Sequence, residues 1–260
     1  MRAMLELKNV SHVYVSAQEA SLAVEGLDLQ VTPGEFVSLV GPSGCGKTTI
    51  LSLLAGLLVP SRGQVLIGGE PVHGPSPRVG YMLQQDYLLP WRTIRGNVLL
   101  GPELAGRQSR ETEEAVERLL HEMGLSGSAA RYPHELSGGM RQRAALVRTL
   151  ITDPEVLLLD EPFSALDMHI KLQLEDLVHH TLRRMRKTAL LVTHDLAEAA
   201  AMSDRVVLLG SRPGRIRHIF DIPAELRALP PMQARREPGF QDIFEAIWAE
   251  LEEGEEGGDA

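Results

Sequence analysis

The 260-residue sequence predicts an α/β fold, with a strand-and-helix core interrupted by a helical insertion near residues 85–155. Two observations carry that prediction. Apolar, strand-like runs occupy both halves of the chain, and the stretch between them changes to helical spacing. A glycine-rich loop, Gly41-Pro42-Ser43-Gly44-Cys45-Gly46-Lys47-Thr48, stands between an apolar strand and an apolar helix.

In chain order, Leu5–Val10 and Leu22–Val31 alternate as half-buried strands, and Thr32-Pro33-Gly34 marks a turn. Phe36–Val40 is almost wholly apolar, as a strand covered on both faces requires. The loop then opens a helix expected to reach about Leu58, followed by short strands at Gln64–Ile67 and Arg78–Met82. From about Gln85 to Thr152 the period is helical. Ala115, Val116, Leu119, Leu120 and Met123 form one stripe, and Gly124 suits the end of that helix. Strand-like runs return at Glu155–Leu159, Ala189–Val192 and Arg205–Leu209, with helical stretches between them. Residues 239–251 space Phe240, Ile243, Phe244, Ile247 and Leu251 as one helix face. The acidic end, 252–260, is expected to be disordered. No internal repeat is visible.

Apolar content of 43% and charged content of 23% are those of a soluble globular protein. A net charge of −9 argues against a nucleic-acid partner. No run approaches the roughly 18 apolar residues of a membrane span, and the longest, residues 50–60, reads as a core helix. The start lacks the apolar segment of a signal peptide, and the single cysteine, Cys45, cannot form an internal disulfide. Both suit the cytoplasm.

The loop matches G-x-x-x-x-G-K-[ST] in the strand–loop–helix setting that the motif needs. Its backbone N–H groups can wrap phosphates, Lys47 can reach the outer ones, and the Thr48 hydroxyl can ligate Mg²⁺. That much says nucleoside triphosphate. Neither Asn9 nor Asn97 precedes a lysine, so the base-reading N-K-x-D element of GTPases is absent. Farther on, the apolar run Val156–Leu159 ends in Asp160-Glu161. The first carboxylate can hold Mg²⁺ or its water shell, and the second can polarise an attacking water. Gln84 and His194 end strand-like runs in the same way, where an amide can touch both metal and water and an imidazole a γ-phosphate. Four strand ends thereby share one rim, the place where open α/β sheets bind ligands. A second potential anion site lies in Leu136–Arg143, LSGGMRQR. There Ser137, Gly138 and Gly139 stand directly before the helical spacing of Met140, Ala144, Val147 and Ile151.

With Gln84, LSGGMRQR, LLLDEPFSALD and VTHD in that order after the phosphate loop, the chain resembles the ATP-binding subunit of an ABC transporter from residue 4 to about 222. LSGGMRQR is the most specific of these matches. The resemblance implies a P-loop NTPase (RecA-like) core sheet, an antiparallel β subdomain and a helical insertion. It divides the chain into an ATPase domain at 1–222 and a C-terminal helical extension at 223–251. It also accounts for the second anion site, because two copies of such ATPases face each other head to tail. Ser137, Gly138 and Gly139 would then bind the γ-phosphate held by the partner. Residues Gly41 to Thr49 would hold the copy's own phosphates, with Thr48, Gln84 and Asp160 on Mg²⁺. Glu161 would be the general base, His194 a γ-phosphate contact, and Ser164 to Asp167 the loop linking the two sites. Tyr14 would stack on adenine, although a tyrosine in HVYV could equally be a half-buried strand residue. The sequence departs from the family's aromatic residue before the coupling glutamine, reading Tyr81-Met82-Leu83-Gln84-Gln85. Either glutamine could serve, and the spacing to Leu88-Leu89-Pro90-Trp91 favours Gln84.

The segment LLPWRTIRGNV at 88–98 resembles the branch that serves nitrate, sulfonate and taurine importers. That implies an integral membrane permease docked near Tyr87–Trp91 and, indirectly, a solute-binding protein. It places the subunit at the cytoplasmic face of the plasma membrane. Trp91 could instead pack within the insertion. The same motifs would also serve a soluble ABC-type ATPase acting on a cytoplasmic assembly partner.

Overall fold

The computed structural model describes residues 2–17 and 19–256. The chain begins with the long strands β1 (Leu5–Val15) and β2 (Ala20–Val31), then β3 (Phe36–Val40), α1 (Lys47–Leu54), β4 (Arg62–Ile67), β5 (Glu70–Pro71) and β6 (Val79–Met82). Helices α2 (Ile94–Val98), α3 (Leu100–Leu104), α4 (Arg110–Glu122) and α5 (Gly138–Leu150) come next. After them run β7 (Val156–Asp160), α6 (Met168–Arg184), β8 (Thr188–Val192), α7 (Leu196–Met202), β9 (Arg205–Leu209) and β10 (Ile216–Asp221). The chain closes with α8 (Ala224–Arg227), α9 (Pro231–Ala234) and α10 (Pro238–Glu256).

Two sheets form. One is antiparallel, in the order β2-β1-β4-β5, and the other has six strands in the order β10-β9-β3-β8-β7-β6. In the larger sheet β9, β3, β8, β7 and β6 run parallel, and β10 adds an antiparallel edge. Strands β3, β7 and β8 are buried along their whole length. Successive side chains of a strand face opposite ways, so such strands need cover on both faces. Leu157 and Leu159 enter a core shared with α4, α5 and α6, while Leu158 joins a core shared with α1 and the antiparallel sheet. A third core lies between Val206, Leu208, α7 and α10. The register brings Met82 opposite Leu159, Asp160 opposite Val192 and Leu39 opposite Val192. The C-terminal ends of β6, β7, β8 and β3 therefore finish level. Helices α2 to α5 fill the connection between β6 and β7, which are neighbours in the sheet.

Several boundaries differ from expectation. Strand β1 continues to Val15 because the register shifts between Leu7 and His12, where Asn9 takes a left-handed φ of 47°. A bulge of this kind breaks the side-chain alternation that marks a strand in sequence. Helix α1 stops at Leu54 instead of near Leu58. Gly56, at φ 72°, ends it by donating to the Leu53 carbonyl while Leu57 N–H reaches back to Ser52. A Cβ at position 56 would lie 2.2 Å from the Gly74 carbonyl oxygen, so only glycine fits this turn. Strand β10 was not expected at all, since its residues Arg217, His218 and Phe220 look outward or lie partly covered at a sheet edge. Residues 252–256 are helical rather than disordered, because α10 carries on past Leu251. Arg217 of β10 pairs with Glu250 at 2.7 Å and Glu253 at 3.7 Å, which holds this turn to the sheet. The remainder of the expected disordered tail, 257–260, lies outside the described residues. Among the described residues no helix is long and apolar enough to cross a membrane.

Candidate active site

At the level strand ends lies a cavity of about 390 Å³, lined by Gly41, Ser43, Gly44, Gly46, Lys47, Thr48 and Thr49 with Glu161 and His194. The loop can only adopt this course with glycine at key points. Gly46, at φ 94°, precedes α1, and a Cβ there would meet Val24 Cγ1 at 2.5 Å. Lys47 Nζ curls over the loop and donates to the carbonyls of Gly41 at 2.7 Å and Pro42 at 2.8 Å. It also donates to Cys45 Sγ at 3.7 Å, and an ammonium held by such neutral acceptors is ready to exchange them for phosphate oxygens. Cys45 is buried in the core beneath, where burial pushes its thiol above the ordinary value. Tyr14, 44% exposed, sets its hydroxyl 3.2 Å from Thr49 Oγ1 and its ring edge against His12. It stands beside the loop.

The acidic side of the cavity is built from β6, β7 and β8. Glu161 takes a left-handed φ of 44° directly after β7, a conformation that costs on the order of 1 kcal/mol for a non-glycine residue. The turn is held by Glu161 N–H donating to Val192 O at 2.9 Å. It aims the carboxylate so that Oε2 lies 3.2 Å from Gln84 Nε2 and 3.2 Å from His194 Nδ1. Asp160, buried at the strand end, accepts from Tyr81 Oη at 3.3 Å. Burial raises the Asp160 carboxyl above its usual range, and the Tyr81 bond opposes that rise. Gln84 also donates to Ser164 Oγ at 3.3 Å. Of the two adjacent glutamines, Gln84 is thus the one seated beside Glu161.

The structure does not bring every expected residue to this cavity. Ser137 caps α5, accepting from Met140 N–H at 3.4 Å, and Asp167 caps α6, accepting from Ile170 N–H at 3.2 Å. Their neighbours are each other's segments. A Cβ on Gly138 would lie 3.6 Å from Leu166 Cδ2, and one on Gly139 would lie 2.5 Å from Ile170 Cγ2. Ser137, Gly138, Gly139 and Asp167 therefore share a second location, apart from the lining of the phosphate-loop cavity.

The residues present fit a phosphate-bound Mg²⁺. Among the described residues no group of three or more His, Cys, Asp or Glu forms a metal cage. The Thr48 hydroxyl, Gln84 amide and Asp160 carboxylate instead offer the sparse oxygen donors that suit Mg²⁺, which keeps waters and takes oxygens from a phosphate.

Some supporting residues were given no role of their own by the sequence, although Gln142 and Asn97 stand within motifs that it singles out. Gln142 Nε2 donates to Gln84 O at 3.0 Å, and Arg148 donates to Asp86 O and Tyr87 O at 2.6 and 2.7 Å. Helix α5 thus holds the backbone that carries Gln84. Asn97, fully buried, accepts from Leu89 N–H at 2.6 Å and donates to the carbonyls of Leu89, Arg92 and Thr93. It shapes the loop that presents Tyr87 and Trp91, which are 59% and 71% exposed.

Comparison with known proteins agrees with this geometry. The family described as ABC transporter matches residues 24–164. The chain belongs to the ABC transporter family. An uncharacterized ABC transporter ATP-binding protein, YtlC of Bacillus subtilis, is 53% identical over 249 residues, covering 96% of each chain. An aliphatic sulfonates import ATP-binding protein, SsuB 2 of Burkholderia lata, is 50% identical over 190 residues, 72% of this chain and 67% of its own. Among solved structures, a dimeric post-hydrolysis state of the ATP-binding cassette MJ0796 bound to ADP and Pi superposes with a TM-score of 0.75 at 30% identity, covering 85% of this chain and all of that one. The protein is thus an ABC ATP-binding cassette with a P-loop NTPase fold, an ATPase of the kind coupled to transport.

Proposed function

We propose that this ABC cassette is the nucleotide-binding subunit of an importer for a small anion of the nitrate, sulfonate or taurine kind. Two copies close head to tail around two ATP, and hydrolysis reopens them. One observation carries the dimer: Gly138 and Gly139 adjoin Leu166 and Ile170, and neither they nor Ser137 line the cavity of their own chain. A helix N-terminus placed there is available to a partner's nucleotide.

In this reading Gly41 to Thr49 hold the phosphates and Tyr14 stacks on the adenine. Thr48, Gln84 and Asp160 hold Mg²⁺, which neutralises phosphate charge when bound. Glu161, held by Gln84 and His194, takes a proton from the attacking water, a contribution worth roughly 10²–10⁴-fold. His194 then faces the γ-phosphate, and Ser137, Gly138 and Gly139 donate to the partner's. The Asp167 loop touches the Ser137 helix and so links the two sites. Residues 1–222 form the ATPase domain and 223–251 a helical extension. The exposed Tyr87 and Trp91 offer an amphipathic aromatic anchor to an integral membrane permease, with a solute-binding protein acting on its other side. The subunit then sits at the cytoplasmic face of the membrane. The similarity to a sulfonate-import protein supports the anion class.

The test is Glu161→Gln, which keeps the shape of the side chain and removes the base. The variant is expected to bind MgATP, turn it over very slowly and accumulate as a dimer in light scattering. An ATP-loaded variant that stays monomeric overturns the two-copy site. Recovery of tagged protein with a polytopic permease tests the importer, and a cytosolic complex without membrane protein refutes it.

A further inference from the structure

Behind the His194 loop lies a group of buried charges that the reading above leaves unused. Lys171 of α6 sets Nζ 2.7 Å from Asp195 Oδ2, 2.6 Å from Glu198 Oε2 and 3.9 Å from Glu175 Oε1. Arg235, directly after α9, sets Nη2 2.6 Å from Glu175 Oε2. Glu175 is fully buried and Glu198 nearly so, and buried carboxylates persist only where cations compensate them. Three carboxylates share two cations here, so each cation matters to every acid.

Both ends of this group reach nucleotide-site residues. Asp195 follows His194 directly. Its N–H donates to Thr193 Oγ1, and its Oδ1 caps α7 by accepting from Glu198 N–H, each at 3.0 Å. Lys171 lies one turn into α6, with its N–H on the Asp167 carbonyl at 2.9 Å. At the other end Arg235 belongs to the segment after β10, which is also pinned to α6 by Met232 N–H donating to Asp176 Oδ1 at 2.8 Å. His194 has a 65% exposed side chain, so its place depends on how the Asp195 backbone is held.

We infer that Arg235, Glu175 and Lys171 are positioning residues for ATP hydrolysis, through which the C-terminal segment fixes Asp195 and with it the His194 loop beside Glu161. The inference rests on the reading of His194 as a γ-phosphate contact. Its physical basis is competition for one ammonium. With Arg235 present, Glu175 has its own cation and Lys171 stays with Asp195 and Glu198. Without Arg235, and at an assay pH alkaline enough to keep its carboxyl ionised, the buried Glu175 draws Lys171 away from Asp195. The loop then loses the anchor opposite its helix cap.

The decisive variants are Arg235→Met and the double variant Arg235→Met/Glu175→Gln, with His194→Ala as reference. Arg235→Met is expected to lower kcat about three- to thirtyfold at unchanged KM for ATP, since the phosphate loop is untouched. It should also raise amide hydrogen exchange across residues 193–202. The double variant removes the competing acid together with its cation, and should return both readouts to within about twofold of the parent. Loss of packing alone would not be rescued this way. Unchanged hydrogen exchange in Arg235→Met, or a double variant as impaired as the single one, overturns the inference. Raised and rescued exchange with full turnover in His194→Ala overturns the reading of His194 instead. If Arg235→Met fails to fold, Arg235→Gln with and without Glu175→Gln gives the same comparison, and failure of Glu175→Gln to rescue it refutes the charge competition.

Discussion

Glu175→Gln offers a test of the buried charge group by stability alone. Burial pushes the Glu175 carboxyl from 4.5 up to about 7, against the lowering effect of Arg235 and Lys171. The groups facing it are Lys171 on its own helix, Glu198 of α7 with Asp195 at that helix's cap, and Arg235 after α9. Between the two values the folded chain keeps a proton that the unfolded chain releases, so stability falls as pH rises through this window and is level above it. The full effect is on the order of 3 kcal/mol, at about 1.4 kcal/mol per pH unit. His179 works in the opposite sense. Burial pushes its imidazole from 6.5 down to about 4, so it contributes stability above its ordinary value that is lost as pH falls through the window. The parent's profile mixes the two, and the difference between parent and variant isolates Glu175. Urea unfolding at about pH 5 and about pH 8 should show the parent losing roughly 2–3 kcal/mol relative to Glu175→Gln over that range. Parallel profiles for the two proteins would refute a proton held at Glu175.

Three further predictions concern the second location and the loop before α2. Gly138→Ala should leave monomer stability unchanged or raise it by up to about 1 kcal/mol, because its Cβ meets only Leu166 Cδ2 at 3.6 Å, yet ATPase activity should fall as the methyl meets the partner's phosphate. Gly139→Ala should instead destabilise the monomer by about 1–3 kcal/mol, relieved by Ile170→Ala, since its Cβ would lie 2.5 Å from Ile170 Cγ2; equal unfolding midpoints for Gly138→Ala and Gly139→Ala would contradict this. Asn97→Ala should lower stability by about 3 kcal/mol by orphaning the groups around Leu89. Its ATP affinity should match the parent's, and a thermal midpoint equal to the parent's would show that the loop does not depend on Asn97.

The strand ends of the candidate site were legible because each is local. A strand, a turn and a helix start are encoded within a dozen residues, so Gly41–Thr49, Asp160-Glu161 and His194 announced themselves through apolar runs that stop at polar residues. Gln84 was harder: its neighbour Gln85 was a second candidate, the spacing to Leu88–Trp91 favoured Gln84, and the packing seats Gln84 beside Glu161. Strand β10 escaped notice because an exposed edge strand needs no apolar alternation, only a neighbour such as β9. The acidic turn 252–256 looked unstructured because its partner, Arg217, lies far back in the chain. The sequence by itself determined the cassette family and the strand–loop–helix that shapes the Gly41–Thr49 loop, since backbone conformation and glycine placement decide that locally. Only the tertiary structure decided that Ser137 lies outside the lining of its own chain's cavity, and that Arg235 shares buried charge with the turn beside His194. Those outcomes depend on which distant side chains are desolvated together, and charge pairing across the fold leaves no period in the sequence.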